Sequence, residues 1–439
     1  MNLPARVREV AAKRPESPAL RRGSSALTYA ALVDAVERRA AELSRVSGVV
    51  PLDGSDAIGF VVDFFAARSL GRSAVAHPAS ASRTLREIRE GAAREAVWPA
   101  CGGTVFFSSG SVGASKTAPL SDENLAAAAL AFESWGDVTS ADRLAVGLPP
   151  AQIFAFVRGA LNALLLGAEA VFFTPGRDPL EEEAALGATA VLLPSALVPL
   201  AARGKSRVPL RALRCGGGVL PEEAADAVET VRGVPVRSGY GMTESAGLGA
   251  RQRGDRPRRA GSCGQIAPGI EVSIVGGDET DRASGEAGEI RLRGPAVFSG
   301  YLSPADPSPF DGRGRLRTGD VGHLDEAGEL HVRGRLSFAL AAGDRVLCAE
   351  EVEAAIAEHP GVAAAAAAPL GRAFGVLVVV RDDSDALLSA VRAHAEERLP
   401  GFARPRRILR VAEIPRTPAG KIDRAAVTRW LSENRTDAS

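Results

Sequence analysis

Apolar positions along the chain follow two different periods. In ALVDAVERRAAEL, Leu32, Val33, Val36, Ala40 and Leu43 recur at helical spacing, and Thr28 stands where an N-cap belongs. Short apolar runs at Val105–Phe107, Ala170–Phe173, Ala190–Leu193 and Val234–Val236 alternate with further helical patterns, separated by Gly- and Pro-containing turns. That alternation predicts an α/β fold with a parallel-rich sheet. From about Gly261 to Leu330 the texture changes to strand-like pieces (GIEVSIVG, GEIRLRG, GELHVRG) joined by polar turns, which predicts an antiparallel β subdomain. After Gly334 come a short helix near Glu350–Glu358, an apolar stretch, a helix over Ala386–Arg398 and a basic tail, the pattern of a small α+β domain. A boundary at Arg335 divides the chain into residues 1–335 and 336–439. The alanine-rich tract Gly361–Ala368 favours helix by propensity, but the preceding His-Pro-Gly is a stop signal. It reads as a strand paired with Val376–Val380.

Composition narrows the function classes. The 439 residues carry 53 basic and 53 acidic side chains, so no net field draws the protein to nucleic acid or an anionic membrane. The arginine-rich stretch Arg251–Arg259 has no interleaved aromatics and reads as a solvated loop rather than a polyanion site. Cys101, Cys215, Cys263 and Cys348 are widely spaced, which fits packed thiols in a reducing compartment and argues against zinc. The first twenty residues are too charged for a signal peptide, and the apolar runs are too short or interrupted to span a bilayer. The expectation is a cytoplasmic protein.

Only four of the basic residues are lysines: Lys13, Lys116, Lys205 and Lys421. Where arginine serves elsewhere, a surviving lysine marks a place that needs a compact ammonium. Lys116 lies in TVFFSSGSVGASKTAPLS, an apolar strand running into a Ser/Gly loop. Backbone N–H groups freed by glycine, the hydroxyls of Ser108, Ser109 and Ser111, and the Lys116 charge together suit a phosphate. A nucleoside-triphosphatase P-loop is a near match, but Ser115 replaces its second glycine and Pro119 intervenes before any helix.

Residues 108–117 resemble the phosphate loop of the adenylate-forming superfamily, which comprises acyl-CoA synthetases, luciferases and peptide-synthetase adenylation domains. Further segments resemble that family in the same order: CGGGVLPEE at 215–223, SGYGMTE at 238–244, GEIRLRGPAVFSGYL at 288–302, RTGDVGHLDEAGELHVRGR at 317–335 and PRTPAGKIDR at 415–424. Two of the four lysines, Lys116 and Lys421, occupy the positions where the family uses lysine. The resemblance implies ATP-dependent activation of a small carboxylic acid as an acyl-adenylate, followed by transfer to the thiol of CoA or of a carrier protein's phosphopantetheine. It implies that Ser108, Ser109, Gly110, Ser111, Gly113 and Lys116 hold the terminal phosphates, with Thr243 on the α-phosphate and Glu244 on Mg2+. It places Gly217, Gly218, Tyr240 and Gly241 around the adenylate, Asp320 on the ribose and Arg335 at the domain junction. Lys421 would bridge the attacking carboxylate and the α-phosphate. Gln152, Ile153, Phe154 and Gly343 would line the acid and thiol tunnel.

Four departures from the family pattern stand out. Ser337-Phe338 replaces the usual Lys-Asp hinge, Gln152 and Asp122 replace histidines, and only about 30 residues separate HPAS at 77–80 from the phosphate loop, implying a shortened N-terminal domain. No Asp for an α-amine follows Ile153–Val157, and Phe154 and Phe156 with Gly216–Gly218 suit an aromatic or short hydrophobic acid, although core packing accounts for the two phenylalanines equally well. Use of the adenylate without thiol transfer, as in lactone formation, and a non-catalytic adenylate-binding role are the alternatives. The catalytic residues that the family needs for adenylation are all present.

Overall fold

The structure, a computed structural model, describes residues 1–77, 103–107, 116–136, 138–302, 307–342, 345–382, 384–416 and 422–433. The chain forms two compact units. One contains the described residues up to Val272 together with Leu292–Leu316; the other contains Ser273–Arg291 and the described residues from Arg317 onward.

In the first unit, nine described strands form the large sheet. Its order is Gln265–Ile266, Ala250–Arg251, Val236–Tyr240, Ala212–Gly216, Ala190–Pro194, Arg143–Val146, Glu169–Phe172, Pro18–Arg22 and Ser25–Thr28. The six central strands run parallel, and only the edges are antiparallel. The fold is therefore α/β with a parallel-rich sheet, as the alternating pattern predicts. The helix Tyr29–Leu43 starts at Thr28, whose side chain accepts the Ala31 N–H at 3.2 Å. The strand expected at Val234–Val236 instead runs Val236–Tyr240, because pairing of Leu213 with Val236 and Cys215 with Ser238 sets its limits.

A second sheet in this unit has the order Val50–Asp53, Ala74–His77, Thr104–Phe107 and Thr117–Leu120. Its first three strands are parallel, and the last returns antiparallel with Phe107 opposite Thr117.

The other unit holds a four-stranded sheet of Glu271–Val275, Gly288–Arg293, Leu316–Leu324 and Leu330–Arg335. Beyond it lies an α+β arrangement: strands Val362–Leu370, Ala373–Val380 and Pro405–Arg410 with helices Ala349–Ala357, Asp385–Arg398 and Arg424–Glu433. The alanine tract is a strand, pairing Ala365 with Val378 and Ala367 with Val376. Burial of alternate positions against both faces outweighs alanine's helical preference.

Candidate active site

The strand Thr104–Phe107 and its antiparallel partner Thr117–Leu120 bracket the phosphate-loop sequence. The chain thus returns as a strand, and the next helix, Asp122–Leu130, starts only after Ser121. A P-loop feeds a helix N-terminus directly, so that reading is excluded by topology. Ser121 and Asn124 form a reciprocal cap on this helix. Asp122, which takes the place of a family histidine, accepts from Arg68 Nε at 2.6 Å.

Lys116 Nζ lies 4.6 Å from the centroid of the Tyr301 ring, within cation–π range. The Tyr301 hydroxyl donates to Glu244 Oε1 at 2.8 Å, and Glu244 is buried. Backbone bonds fasten the same neighbourhood: Leu302 N–H donates to Thr117 O at 3.3 Å and Phe298 N–H to Glu244 O at 2.9 Å. One tyrosine thereby joins the loop lysine, over its ring, to the expected metal carboxylate, at its hydroxyl. The sequence reading gave Tyr301 no role. It is one of three tyrosines in the chain, and the scarcity that marks Lys116 marks it too.

Thr243 and Glu244 sit in a tight turn after the strand Val236–Tyr240. Gly247 N–H donates to Met242 O at 2.9 Å, and Met242 N–H donates to Ser245 Oγ at 3.3 Å, closing the turn. Gly241 is required there, because a Cβ would sit 2.5 Å from the Gly247 carbonyl carbon and 2.9 Å from Leu248 N. Gly217 (φ +77°) and Gly218 are exposed, and a Cβ at either meets nothing within 4 Å. They leave open space at the end of the strand Ala212–Gly216. A single buried carboxylate beside a lysine and open glycine backbone is a donor set that fits a nucleotide with Mg2+, which takes few protein ligands and several from phosphate.

A glycine wall faces the helical segment that follows Gln152. A Cβ at Gly216 would lie 3.4 Å from the Phe154 ring and 3.2 Å from Gly239 O; one at Gly247 would lie 3.9 Å from Phe154 Cα and 4.0 Å from Arg158 Cγ. Phe154 and Arg158 are four residues apart and share a helical face. Gln152 is exposed and Ile153 half-buried at the head of this segment. Phe156 is not on that face. It is fully buried, edge-on to Phe60 and Phe64 and beside Phe106, so of its two readings core packing holds and pocket shaping does not.

Arg158 lies in a π-helical turn, Phe156–Leu161, a distortion that often marks function. It is buried, donates from Nη1 to Ala128 O at 2.7 Å and stacks 4.4 Å from the Phe132 ring centroid. Arg251 stacks 4.0 Å from the same ring. Burial, and then the charge of Arg214, lower Arg158 to about 9; burial lowers Arg251 to about 9 as well. The stretch Arg251–Arg259 is only in part the solvated loop expected: residues 254–257 and Arg259 are exposed. Arg251 is buried, and Arg258 is enclosed by Glu222, Asp226 and Glu229.

In the other unit, Asp320 and Arg335 stand opposite each other on paired strands, with Arg335 Nε 2.8 Å from Asp320 Oδ1. Gly319 has φ +69°, which explains the glycine before the aspartate. Phe338 packs into the core of this unit with Val352, Ile356 and Phe374, and Arg424 lies 5.6 Å from its ring centroid. Arg424 also bonds Glu350 at 2.8 Å, Glu353 and Ala367 O at 2.8 Å, anchoring the segment that follows Lys421. Ser108, Ser109, Gly110, Ser111, Gly113, Gly343 and Lys421 lie outside the described residues.

Residues 79–302, about half of the chain, match the sequence profile described as AMP-binding enzyme. The chain belongs to this family. Residues 351–421 match the AMP-binding enzyme C-terminal domain, and the adenylate-forming resemblance read from the motifs is borne out. Among curated relatives, the chain is 30% identical over 335 residues to sulfoacetate–CoA ligase of Cupriavidus necator, covering 73% of this chain and 65% of that one. It is 31% identical over 334 residues to indoleacetate–CoA ligase of Aromatoleum aromaticum, covering 72% and 65%. The chain thus spans a little under two thirds of the length of these relatives. In fold it is similar to ATP-bound MatB from Rhodopseudomonas palustris, with TM-score 0.85, 20% identity and 99% of both chains covered. Among the described residues, no helix is long and apolar enough to cross a membrane.

Proposed function

We propose that the protein is an AMP-forming acid–thiol ligase: it activates a carboxylic acid with ATP as the acyl-adenylate and passes the acyl group to CoA. The observation that carries this reading is the Lys116–Tyr301–Glu244 arrangement at the base of the phosphate loop. The curated relatives, themselves CoA ligases, support it. Joining a carboxylate to a triphosphate brings two anions together, so cations and directed donors carry the catalysis and no general base is needed. Lys116 and the loop Ser108–Gly113 would hold the β- and γ-phosphates, and Thr243 would donate to the α-phosphate. Glu244 would turn from Tyr301 toward Mg2+, which screens the phosphate charge when bound. Tyr240, Gly241, Gly217 and Gly218 would border the adenylate; Asp320 would meet the ribose, with Arg335 as its partner.

In this reading residues 1–335 act as the adenylation domain and 336–439 as a lid that brings Lys421, and then Gly343, to the site. The proposed setting is cytoplasmic, with a carrier-protein phosphopantetheine as the other acceptor. Pyrophosphate exchange and hydroxamate trapping over a panel of acids test the first half-reaction, and silence across the panel sinks the reading. Adding CoA or a loaded carrier tests the second. Phe338, buried where a mobile hinge is usual, favours one alternative, an adenylate consumed without thiol transfer; acyl-AMP that accumulates unchanged by either thiol would support it.

A further inference from the structure

Arg158 is the one charged residue in the run IFAFVRGALNALLLG, where Asn162 is the one other polar side chain. Burying a guanidinium is expensive unless an anion answers it. Among the described residues Arg158 forms no ion pair; its partners are the Ala128 carbonyl and the face of Phe132. Capping the end of the helix Asp122–Leu130 does not require a charge, since neutral Asn162 does the same for Ala129 O at 2.6 Å. Arg214 lies near enough to repel Arg158, and Arg251 also stacks on Phe132. On the strand Ala212–Gly216, Arg214 shares a sheet face with Gly216, which fronts Phe154. A guanidinium has five donors, and one bond to a carbonyl leaves most of that capacity for something else.

The placement says what that is. Phe154 and Arg158 share one helical face, opposed by Gly216 and Gly247, where side chains are missing. Gly247 follows directly on the turn that carries Thr243 and Glu244. Arg158 is thus one helical turn beyond Phe154, on the face that meets Gly247 beside the turn of Thr243 and Glu244. We infer that the acid bears a second anionic group, a carboxylate or sulfonate remote from the reacting carboxylate, and that Arg158 binds it. This rests on the acid-activating reading above, and it replaces the hydrophobic acid expected from Phe154 and Phe156.

The test uses the full chain, as wild type, Arg158→Met and Arg158→Lys. Pyrophosphate exchange is measured with succinate, glutarate and sulfoacetate against monomethyl succinate and butyrate, and each acid's effect on Tm is measured without ATP. Wild type should favour the dianionic acids by about 10²-fold in kcat/KM, the scale of a lost charged hydrogen bond in a closed site. Whether succinate or sulfoacetate leads identifies the anion. Arg158→Met should bring the ratio near unity, chiefly through KM. Arg158→Lys should keep the preference at roughly a tenth of its size, since a point charge loses the planar fork.

Equal use of mono- and dianionic acids by wild type overturns the inference. So does an Arg158→Met variant that loses all acids alike, because the arginine would then hold the reacting carboxylate. If Arg158→Met does not fold, the Lys variant decides, and an unchanged ratio there refutes the assignment. Should no acid support exchange, the ligase reading fails separately, and Tm decides. A dianion that stabilises wild type more than the matched monoanion supports the anion site, and equal shifts dismiss it.

Discussion

Gly241→Ala tests whether the turn carrying Thr243 and Glu244 is held as tightly as the structure implies. The added methyl would meet only backbone, 2.5 Å from the Gly247 carbonyl carbon and 2.9 Å from Leu248 N. No rotamer can relieve such a contact. Ordinary van der Waals contact begins at 3.4 Å, so the two strands of the turn must part by about 1 Å, a displacement that costs about 10² in rate when it falls on reacting groups. It falls there because Met242–Gly247 is closed by hydrogen bonds at both ends, and Thr243 and Glu244 lie between them. Overpacking should also lower stability by about 1–3 kcal/mol. Gly312→Ala is the control, since a Cβ there meets nothing within 4 Å and its φ is not left-handed. Pyrophosphate exchange on both variants, with Tm beside it, gives the comparison. Gly241→Ala within about threefold of wild type in kcat/KM would refute the reasoning, for it would mean the turn yields without moving its catalytic residues.

Tyr301→Phe keeps the ring beneath Lys116 but removes the donor to the buried Glu244 carboxylate. Chemical denaturation should report a loss of about 1.5–3 kcal/mol, and no loss would show that Glu244 does not rely on this hydroxyl. Lys421→Ala should lower the adenylation rate by about 10²–10³ in pyrophosphate exchange; a smaller effect would remove Lys421 from the transition state. Glu183, buried on the helix Pro179–Ala185, has its carboxyl pushed from 4.5 up to about 7, mainly by burial and then by Glu182. The folded chain then keeps a proton that the unfolded chain releases, so stability should fall as pH rises from 4.5 to about 7, by about 3 kcal/mol in total. Glu183→Gln should flatten that slope in denaturation curves at pH 5 and 8; an unchanged slope would assign it to other groups.

Much of the site was legible because its chemistry admits few substitutes. Gly241 stands where backbone passes backbone, Gly319 needs a left-handed φ, and Lys116 survives in a chain that otherwise uses arginine. The parallel sheet was legible from short apolar runs between helical ones. What escaped depends on partners distant in sequence. Nothing local to Arg258 announces Glu222, Asp226 and Glu229 around it, so a structural arginine looked like a solvated one. Phe156 looked like a neighbour of Phe154, yet two residues along a helix is nearly the opposite side, and that side is the Phe60–Phe64 core. Arg158 did leave a signal, the single charge in a run whose one other polar side chain is Asn162.

The glycine wall and the buried arginine belong to one argument about where this fold gives up stability. Gly216 and Gly247 bring backbone close against the Phe154–Arg158 face without side chains of their own, and Arg158 puts a charge into that buried region. Each choice is unfavourable for folding alone: glycine loses more backbone freedom than alanine, and a buried cation is often improved upon by an apolar residue of similar volume. A ligand that neutralises the charge removes the cost of the buried cation, and only in the bound state. Arg158→Met therefore separates a structural arginine from a binding one. A structural arginine, when removed, leaves Ala128 O short of a donor and lowers Tm with and without acid. A binding one leaves the free protein as stable or more so, and the loss appears only in the Tm rise that a dianionic acid confers on wild type.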